Sequence, residues 1–512
     1  MTDRSSAPLP PDRGGPADRP GASQGDADAT DRIEPWVWRI SWIVIVGSIM
    51  SILDTTIVNV ALNTLGRELH SSIAQIQWVV TGYLLSLAAV IPVAGWAARR
   101  FGAKQVYLTS LVLFTAGSAL CGLATSATEL IVFRVLQGVG GGLILPIGQL
   151  IMAAAAGPKR MGRVMSVIAV PAMLAPIFGP AVGGLILDNT SWRWIFFVNV
   201  PIGFLAVLTA VRGLPNPERQ PAGRLDVVGL LQLATGMPLI TYGLAEVGTT
   251  GGFSSAKVIL PVLGGIGLVA WFVLHALRVD RPLLDVRLYA RRTFASASIA
   301  TFCLGGALFG AMILMPLYYQ QVRGESVLAT GLLVGPQGLG AALVMPLSGK
   351  LTDRFGGGPL ALFGVIVTCL ATIPFGLIGA HTSIFDLSLA LFVRGIGIGF
   401  AFIPAMAAAF AALRPHELSD ATPQMNVLQR VGGSIGTALL AVVLQRAIVS
   451  AGRPATAAGV AGAYGTAFWW SLGIAAVAII PCVVLMSAER TVAADRGRVA
   501  AAEEAALETG AL

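Results

Sequence analysis

Residues 95–102 read Gly-Trp-Ala-Ala-Arg-Arg-Phe-Gly, and residues 349–356 read Gly-Lys-Leu-Thr-Asp-Arg-Phe-Gly. Both glycines, one arginine and the phenylalanine recur at the same spacing, and each stretch follows a long apolar run. Such an echo indicates an internal duplication. Membrane transporters are often built from repeated halves, so the echo predicts two related helical units in one chain.

The composition excludes an ordinary soluble domain. The chain has 512 residues, of which 55% are hydrophobic and 12% charged, whereas a soluble domain averages about 25% charged residues. The net charge of +8 comes from basic residues scattered between apolar runs, so nucleic-acid binding is not expected. The cysteines stand singly without metal-ligand spacing, which predicts packing roles and neither a metal nor another cofactor. They are Cys121, Cys303, Cys369 and Cys482.

Fourteen apolar runs are each long enough to cross a bilayer, which takes about 20 residues. They predict an all-α integral membrane protein with two six-helix halves, 36–212 and 293–487, joined by a linker, 213–292, that contains two extra helices. Residues 1–35 are expected to be a disordered cytoplasmic tail and 488–512 a second cytoplasmic tail. The predicted spans are 39–62, 75–98, 105–126, 129–153, 163–187, 193–212, 226–246, 256–277, 293–319, 327–348, 359–380, 384–410, 426–448 and 465–487.

The distribution of basic residues predicts the orientation. Loops on the side of the N-terminus hold eighteen Lys and Arg residues, Arg430 among them, and the opposite loops or span edges hold six. Basic loops remain in the cytoplasm. Since the number of spans is even, both termini are expected to be cytoplasmic.

Four stretches carry a family resemblance. Leu53–Leu62 reads Leu-Asp-Thr-Thr-Ile-Val-Asn-Val-Ala-Leu, Arg134–Gly140 reads Arg-Val-Leu-Gln-Gly-Val-Gly, and Gly179–Gly184 reads Gly-Pro-Ala-Val-Gly-Gly. Trp192–Gly203 opens the sixth span with Trp-Arg-Trp. With these motifs the chain resembles the fourteen-helix drug:proton antiporters of the major facilitator superfamily.

This resemblance implies the major facilitator fold and the export of amphiphilic organic compounds in exchange for protons by alternating access. It also implies a multi-pass protein of the plasma membrane that contacts lipid and acts as a monomer. Export of one dedicated lipid, antibiotic or secondary metabolite by the same mechanism is the alternative. Span ten contains Gln337 and no carboxylate, so doubly charged cations are less favoured substrates.

Asp54, Arg134 and Gln137 are the candidate proton-coupling residues. Asp54 lies near the middle of span one, where a charge costs about 2.5–3.5 kcal/mol, so it needs compensation. Water and a neighbouring cation can then switch its protonation. Arg134 supplies a permanent charge, with Gln137 one turn further along span four. If Asp54 is not the carrier, Glu246 or Asp353 is the next candidate.

Structural roles are the alternatives for these residues. Asp54 could instead tie helices together through hydrogen bonds to Thr55, Thr56 or Asn59. Arg134 could instead anchor the outer helix end near Glu129. For Arg394, which repeats the position of Arg134 in the second half, anchoring and function are equally supported, because the sequence shows no buried acid near it.

Two groups of residues are predicted to control gating. The glycine and proline motif in span five suits a seal or hinge between the halves, with simple close packing as the alternative. The repeated loops resemble the gating loop of the superfamily, but Arg99 stands where that pattern has Asp, so no acidic latch is predicted in the first half. The predicted gating residues are Gly179, Pro180, Gly183, Gly184, Arg100, Gly102, Asp353 and Arg354.

Polar or aromatic residues in otherwise apolar spans are predicted to line a central substrate cavity. An enzyme is not predicted: His416, Glu417 and Asp420 could suggest acyl transfer, but they lie in a short loop with no soluble domain beside it. A channel would leave the duplicated loops unexplained. The predicted lining residues are Tyr83, Gln149, Tyr318, Gln337 and Asn426.

Overall fold

A computed structural model describes residues 34–157, 160–215, 223–250, 252–452 and 456–491. Thirteen helices in these ranges are long and apolar enough to cross a membrane. The remaining predicted span, 163–187, lies within a 29-residue helix, Met161–Asn189. The predicted tails, 1–35 and 488–512, fall almost entirely outside the described residues, although the last helix continues to Thr491.

We number the helices α1 to α14 in chain order. Most begin and end within a few residues of the predicted spans, but α13 and α14 each start eight residues earlier than predicted. The helices are α1 Pro35–Glu68, α2 Ile73–Val90 continued through the 3₁₀ turn Ile91–Val93 to Ala94–Phe101, α3 Ala103–Leu123, α4 Ala127–Ala156, α5 Met161–Asn189, α6 Trp194–Phe197 and Asn199–Gly213, α7 Val227–Thr250, α8 Ala256–Arg278, α9 Arg292–Gln321, α10 Val327–Phe355, α11 Gly357–Gly376, α12 Ile384–Ala411, α13 Leu418–Ser450 and α14 Ala457–Thr491.

Local sequence explains where several helices begin. Ser126, Ser326 and Ser383 stand just before α4, α10 and α12, and each side-chain oxygen accepts a hydrogen bond from a backbone N–H in the first turn, as an N-cap does. At the other end of the bundle, Gly102 and Gly356 have φ of 92° and 87°. This left-handed backbone suits glycine. It lets α2 turn into α3, and α10 into α11, through a single residue.

Within each half, glycines bring helices into backbone contact. In the first half, Gly140 of α4 packs against the backbone of α3. In the second half, Gly432 and Gly436 of α13 pack against the backbone of α9 at Phe302 and Gly306. Small residues are the usual means of close helix packing in a membrane, because van der Waals contact replaces the hydrophobic effect there. Each half is therefore a tightly packed unit.

The inserted pair α7 and α8 packs as a hairpin at the side of the bundle. Gly243 and Gly265 bring the two helices together, and α7 contacts α2 and α13. His275 of α8 lies 2.9 Å from the carboxylate of Asp226, just before α7. Trp271, in the middle of α8, is exposed. The pair thus adds a lipid-facing layer, and α7 touches both halves, through α2 and α13.

Four helix pairs make the main contacts between the halves in the described residues. Helix α5 packs against α10 and α12, and α13 packs against α2 and α4. The octapeptides 95–102 and 349–356 lie at the ends of α2 and α10, so each contributes to one pair. We call this end of the bundle the basic end, because the loops rich in Arg and Lys lie here. Both ends of the described chain lie here as well, since Arg160 pairs with Glu34 and Glu489 binds Gly358.

Candidate proton site and inter-half gate

Asp54 lies at the centre of a buried hydrogen-bond network in the first half. One carboxylate oxygen accepts from Arg134 Nη1 at 2.5 Å, and the other accepts from Gln137 Nε2 at 3.0 Å and Asn199 Nδ2 at 3.1 Å. Asp54, Arg134 and Gln137 have no exposed surface. Four helices, α1, α4, α6 and α3 through Ser118, supply this network. The carboxylate is fully compensated and closed to both sides of the membrane.

Arg134 is held through Nε and Nη1 of its guanidinium, whereas its buried Nη2 has no hydrogen-bond partner among the described residues. Its Nε donates to the carbonyl oxygen of Val79 at 3.2 Å, and Nη1 also donates to Gln137 Oε1 at 2.8 Å. The ring of Tyr83 lies 4.0 Å from the guanidinium carbon, close enough for a cation–π interaction. Arg134 is therefore a fixed positive charge against which the proton on Asp54 competes.

The particular partners expected if these two residues had structural roles are not the ones that they contact. Thr55 and Thr56 donate to backbone carbonyls of their own helix, and so does Asn59. Glu129 accepts hydrogen bonds from Thr125 at the start of α4 and does not anchor Arg134. Sequence reasoning missed Asn199 as a ligand of Asp54, although this residue belongs to the motif that opens span six.

Arg394 repeats the position of Arg134 in the second half without the carboxylate. Its guanidinium donates to Gln337 Oε1 at 2.6 Å, Thr372 Oγ1 at 3.3 Å and the carbonyl oxygen of Ala307 at 3.3 Å. These partners are neutral, and Arg394 is 2% exposed. Among the described residues no acid binds Arg394, which distinguishes this site from that of Arg134 and Asp54.

At the α5–α10 contact, Asp353 caps the start of α5 from the other half. Its carboxylate accepts from the backbone N–H groups of Gly162 at 2.8 Å and Arg163 at 3.4 Å, and Arg163 Nε lies 3.3 Å away. Gly349, at the start of the same octapeptide, packs against the backbone of Gly162. A carboxylate at a helix N-terminus is favoured by the helix dipole, so Asp353 closes this contact.

At the α2–α13 contact, the charges are exchanged. Arg99 donates to Asp420 Oδ1 at 2.8 Å and to Ser419 Oγ at 2.6 Å, and Gly95 packs against the backbone of Ser419. At the position where the superfamily pattern has Asp, Arg99 binds the start of α13. We call this contact the basic latch. The partner acid was missed because Asp420 was assigned to a solvated loop.

The other predicted gating residues have smaller roles here. Arg100 and Arg354 are exposed, and Gly102 shapes the turn described above. Gly179 and Gly183 of α5 pack against Thr56 and Ile57 of α1, so their contacts lie within the first half and not directly between the halves. For Gly184, no atom lies within contact distance of the position a side chain would take. The side chain of Pro180 lies outside the described part of the chain.

The five predicted cavity residues do not form one lining in this conformation. Gln149 and Asn426 bind each other across the halves at 2.7 Å. Tyr83 lies beneath Arg134. Tyr318 and Gln337 are engaged inside the second half, because Tyr318 donates to the carbonyl of Gly379 at 2.7 Å and Gln337 binds Arg394. Their polar groups satisfy local backbone or side-chain partners, which their sequence pattern does not reveal.

Residues 416–420 stand at the start of α13, where their acidic side chains bind arginines. Glu417 binds both Nη atoms of Arg291, at 2.8 and 2.6 Å, and Asp420 binds Arg99. Partial burial acts to raise the pKa of Glu417. Hydrogen bonds from the backbone N–H of Arg414 and from the Arg291 side chain outweigh this effect, so the pKa is lowered. These residues brace the start of α13.

Comparisons with known proteins agree with this architecture. The family model described as Major Facilitator Superfamily matches residues 44–437. The chain is 38% identical to a "Multidrug resistance protein B homolog" of Mycobacterium tuberculosis over 84% of this chain and 80% of that protein. It is 32% identical to "Multidrug export protein EmrB" of Haemophilus influenzae over 76% of this chain and 77% of that protein.

The fold is also similar to the solved structure of the human organic anion transporter MFSD10. The TM-score is 0.61 at 15% identity, with 88% of this chain and all of that chain covered. At this identity the likeness shows the fold alone. The family model and the relatives confirm the resemblance stated from the motifs. The chain is a multi-pass membrane transporter that belongs to the Major Facilitator Superfamily.

Proposed function

We propose that this protein is a proton-coupled multidrug exporter that moves amphiphilic organic compounds out of the cell by alternating access. The buried network of Asp54, Arg134, Gln137 and Asn199 is the observation that carries the proposal. It holds one titratable carboxylate against one permanent cation inside a bundle closed at the basic end. The names of the relatives support a broad drug substrate range over export of one dedicated compound.

The proposed placement is in the plasma membrane as a monomer, with the basic end and both termini in the cytoplasm. The positive-inside rule supports this orientation. The hydrogen bonds and ion pairs that join the halves in the described residues lie at the basic end or about two turns inside it. The conformation seen here is then closed to the cytoplasm, and rocking of the halves would open that side.

The energy of one proton suffices for this task. A proton that enters down about 100 mV releases about 2.3 kcal/mol, and one pH unit adds about 1.4 kcal/mol. Together they support a gradient of several hundred-fold for a neutral compound. Asp54 would take up the proton from the outer side and release it inside. Release would occur when water or substrate stabilises the negative charge of the carboxylate.

Substitution Asp54→Asn tests the proposal in vesicles that contain the purified protein. Asparagine keeps the shape and can accept a hydrogen bond from Arg134, but it cannot titrate. We expect loss of dye accumulation driven by an imposed pH difference, with dye binding in detergent kept within a few-fold. Asp188→Asn is the matched control, because Asp188 is an exposed carboxylate of the same half. Accumulation by Asp54→Asn at the wild-type level would overturn Asp54 as the carrier.

A further inference from the structure

Arg430 lies in the membrane-spanning part of α13 and belongs to neither the Asp54 network nor the contacts at the basic end. The sequence placed it with the basic loops, but α13 begins at Leu418, so Arg430 is about 18 Å along the helix from that end. The position is near the middle of a bilayer core about 30 Å thick. An arginine at this depth is costly and generally marks a functional site.

The faces of α13 show where this side chain lies. Val431 and Val442 pack with residues of α7, and Gly432 and Gly436 pack against α9. Arg430 lies on the opposite side of the helix from both of these faces. It is one turn beyond Asn426, which is on the same side of the helix and binds Gln149 of the other half.

Arg430 therefore faces the space between the halves, just beyond the contact that closes the basic end. It interacts electrostatically with Tyr83 of α2, a residue of the opposite half. Its side chain keeps some exposed surface. A ligand that enters this space between the halves can reach the guanidinium.

No acid compensates this charge in the described residues, where Arg430 forms no hydrogen bond or ion pair. The deeply buried carboxylate, Asp54, is already occupied by Arg134, and Arg394 has only neutral partners. Two arginines are thus left without counter-charges in the core of the bundle. The space between the halves is electropositive, which attracts negative charge.

We infer that Arg430 determines substrate specificity by binding a carboxylate or similar anionic group of an amphiphilic compound between the halves. A guanidinium donates two parallel hydrogen bonds to a carboxylate, and this geometry is selective as well as strong. The apolar residues around it would hold the rest of the molecule. The inference rests on the proposed export function and names its substrate class as anionic or zwitterionic amphiphiles.

Binding of a matched pair of probes tests the inference. The probes are 11-(dansylamino)undecanoic acid and its methyl ester, which share fluorophore and chain and differ in the charge. Full-length protein in detergent is titrated with each, using dansyl fluorescence. We expect Arg430→Gln to weaken binding of the acid at least ten-fold and binding of the ester less than two-fold, with Arg430→Lys in between for the acid.

Arg446→Gln is the matched control, because Arg446 is an exposed arginine of the same helix, and it should leave both affinities unchanged. Equal loss of both probes in Arg430→Gln, or equal retention of both, would overturn the inference. A wild type that binds neither probe would also overturn it. The proposed export function is tested separately, by proton-driven accumulation of a cationic dye in wild-type vesicles. That test does not use the acid probe, so failure of the inference and failure of the proposed function are distinguishable.

Discussion

The starts of α5 and α13 occupy equivalent places in the two halves, yet their charges are reversed. Helix α5 begins with Arg160 and Arg163, and α13 begins with Glu417 and Asp420 at the same spacing of three. Each residue pairs with an opposite charge at an equivalent place, as Arg160 does with Glu34 and Glu417 with Arg291. The second residues pair across the halves, Arg163 with Asp353 and Asp420 with Arg99.

The difference shows what such a latch requires. Both helix starts have a carboxylate beside them, where the positive end of the helix dipole favours it. At α5 the carboxylate comes from Asp353 of the other half, and at α13 it is the helix's own Asp420. The polarity of the pair can therefore be reversed as long as one acid and one base meet at the contact. Arg99 is a functional replacement and not a lost latch.

Of the changes to the two latches, charge reversal at Arg99 should have the largest effect on closure of the basic end. Arg99→Asp brings two carboxylates together at the start of α13, and we expect it to destabilise the closed basic end by about 2 kcal/mol, a factor of about 30 in population. The double variant Arg99→Asp, Asp420→Arg should restore most of the closure. The measurement is the distance between spin labels on Arg100→Cys and Arg414→Cys, with the native cysteines replaced.

Arg67→Asp is the control for this experiment, since Arg67 is exposed at the opposite end of α1. A double variant as open as the single variant would show that the two latches are not interchangeable in polarity.

Neutralising the acid of the other latch should have a smaller effect. Asp353→Asn keeps an oxygen that can accept from the N–H of Gly162 but loses the attraction to Arg163 and to the helix dipole. We expect a loss of about 1 kcal/mol, or about five-fold in the closed population, by the same spin-label distance. Lys350→Gln is a nearby control on the exposed side of α10. No change in Asp353→Asn would mean that backbone packing at Gly349 alone closes this contact.

The brace at Glu417 should give the smallest effect, and it should depend on pH. The pKa of Glu417 is lowered in the folded protein, so its stabilising contribution is present above the ordinary Glu pKa of about 4.3 and lost as the pH falls through the folded value. We expect Glu417→Gln to lower the unfolding midpoint slightly at pH 7, with the difference from wild type shrinking only as the pH falls below about 4.3 and vanishing below the folded pKa. Arg291→Gln should show the same convergence, and a constant offset would argue against this brace.

The cluster around Asp54 could be predicted from the sequence because its charges stand alone in apolar runs. Asp54, Arg134 and Gln137 were expected together and lie together. Asn199 was missed because a single amide in an apolar helix has the same pattern whether it packs or binds. Tyr318 and Gln337 do not meet Gln149 and Asn426 in this conformation, since a polar residue in a span does not reveal whether its partner is local.

The start of α13 was misplaced for a related reason. Residues 418–426 include Ser419, Asp420, Gln424 and Asn426, which lower the hydropathy of the segment and predict a loop. In the structure these side chains contact protein and not lipid, so the helix extends to Leu418. That error placed Arg430 near a loop when it lies near the middle of the membrane.

The glycine contacts within each half also bear on how such a protein can change over generations. At Gly140, Gly432 and Gly436 a single added methyl group would collide with a neighbouring backbone, so nearly any substitution there removes the transporter. Between the halves, Gly95, Gly162 and Gly349 carry the same restriction, but the side chains around the space that Arg430 faces can vary singly. Selection by a new toxic compound therefore finds its usable variants around residues such as Arg430, and the two tightly packed halves are inherited unchanged.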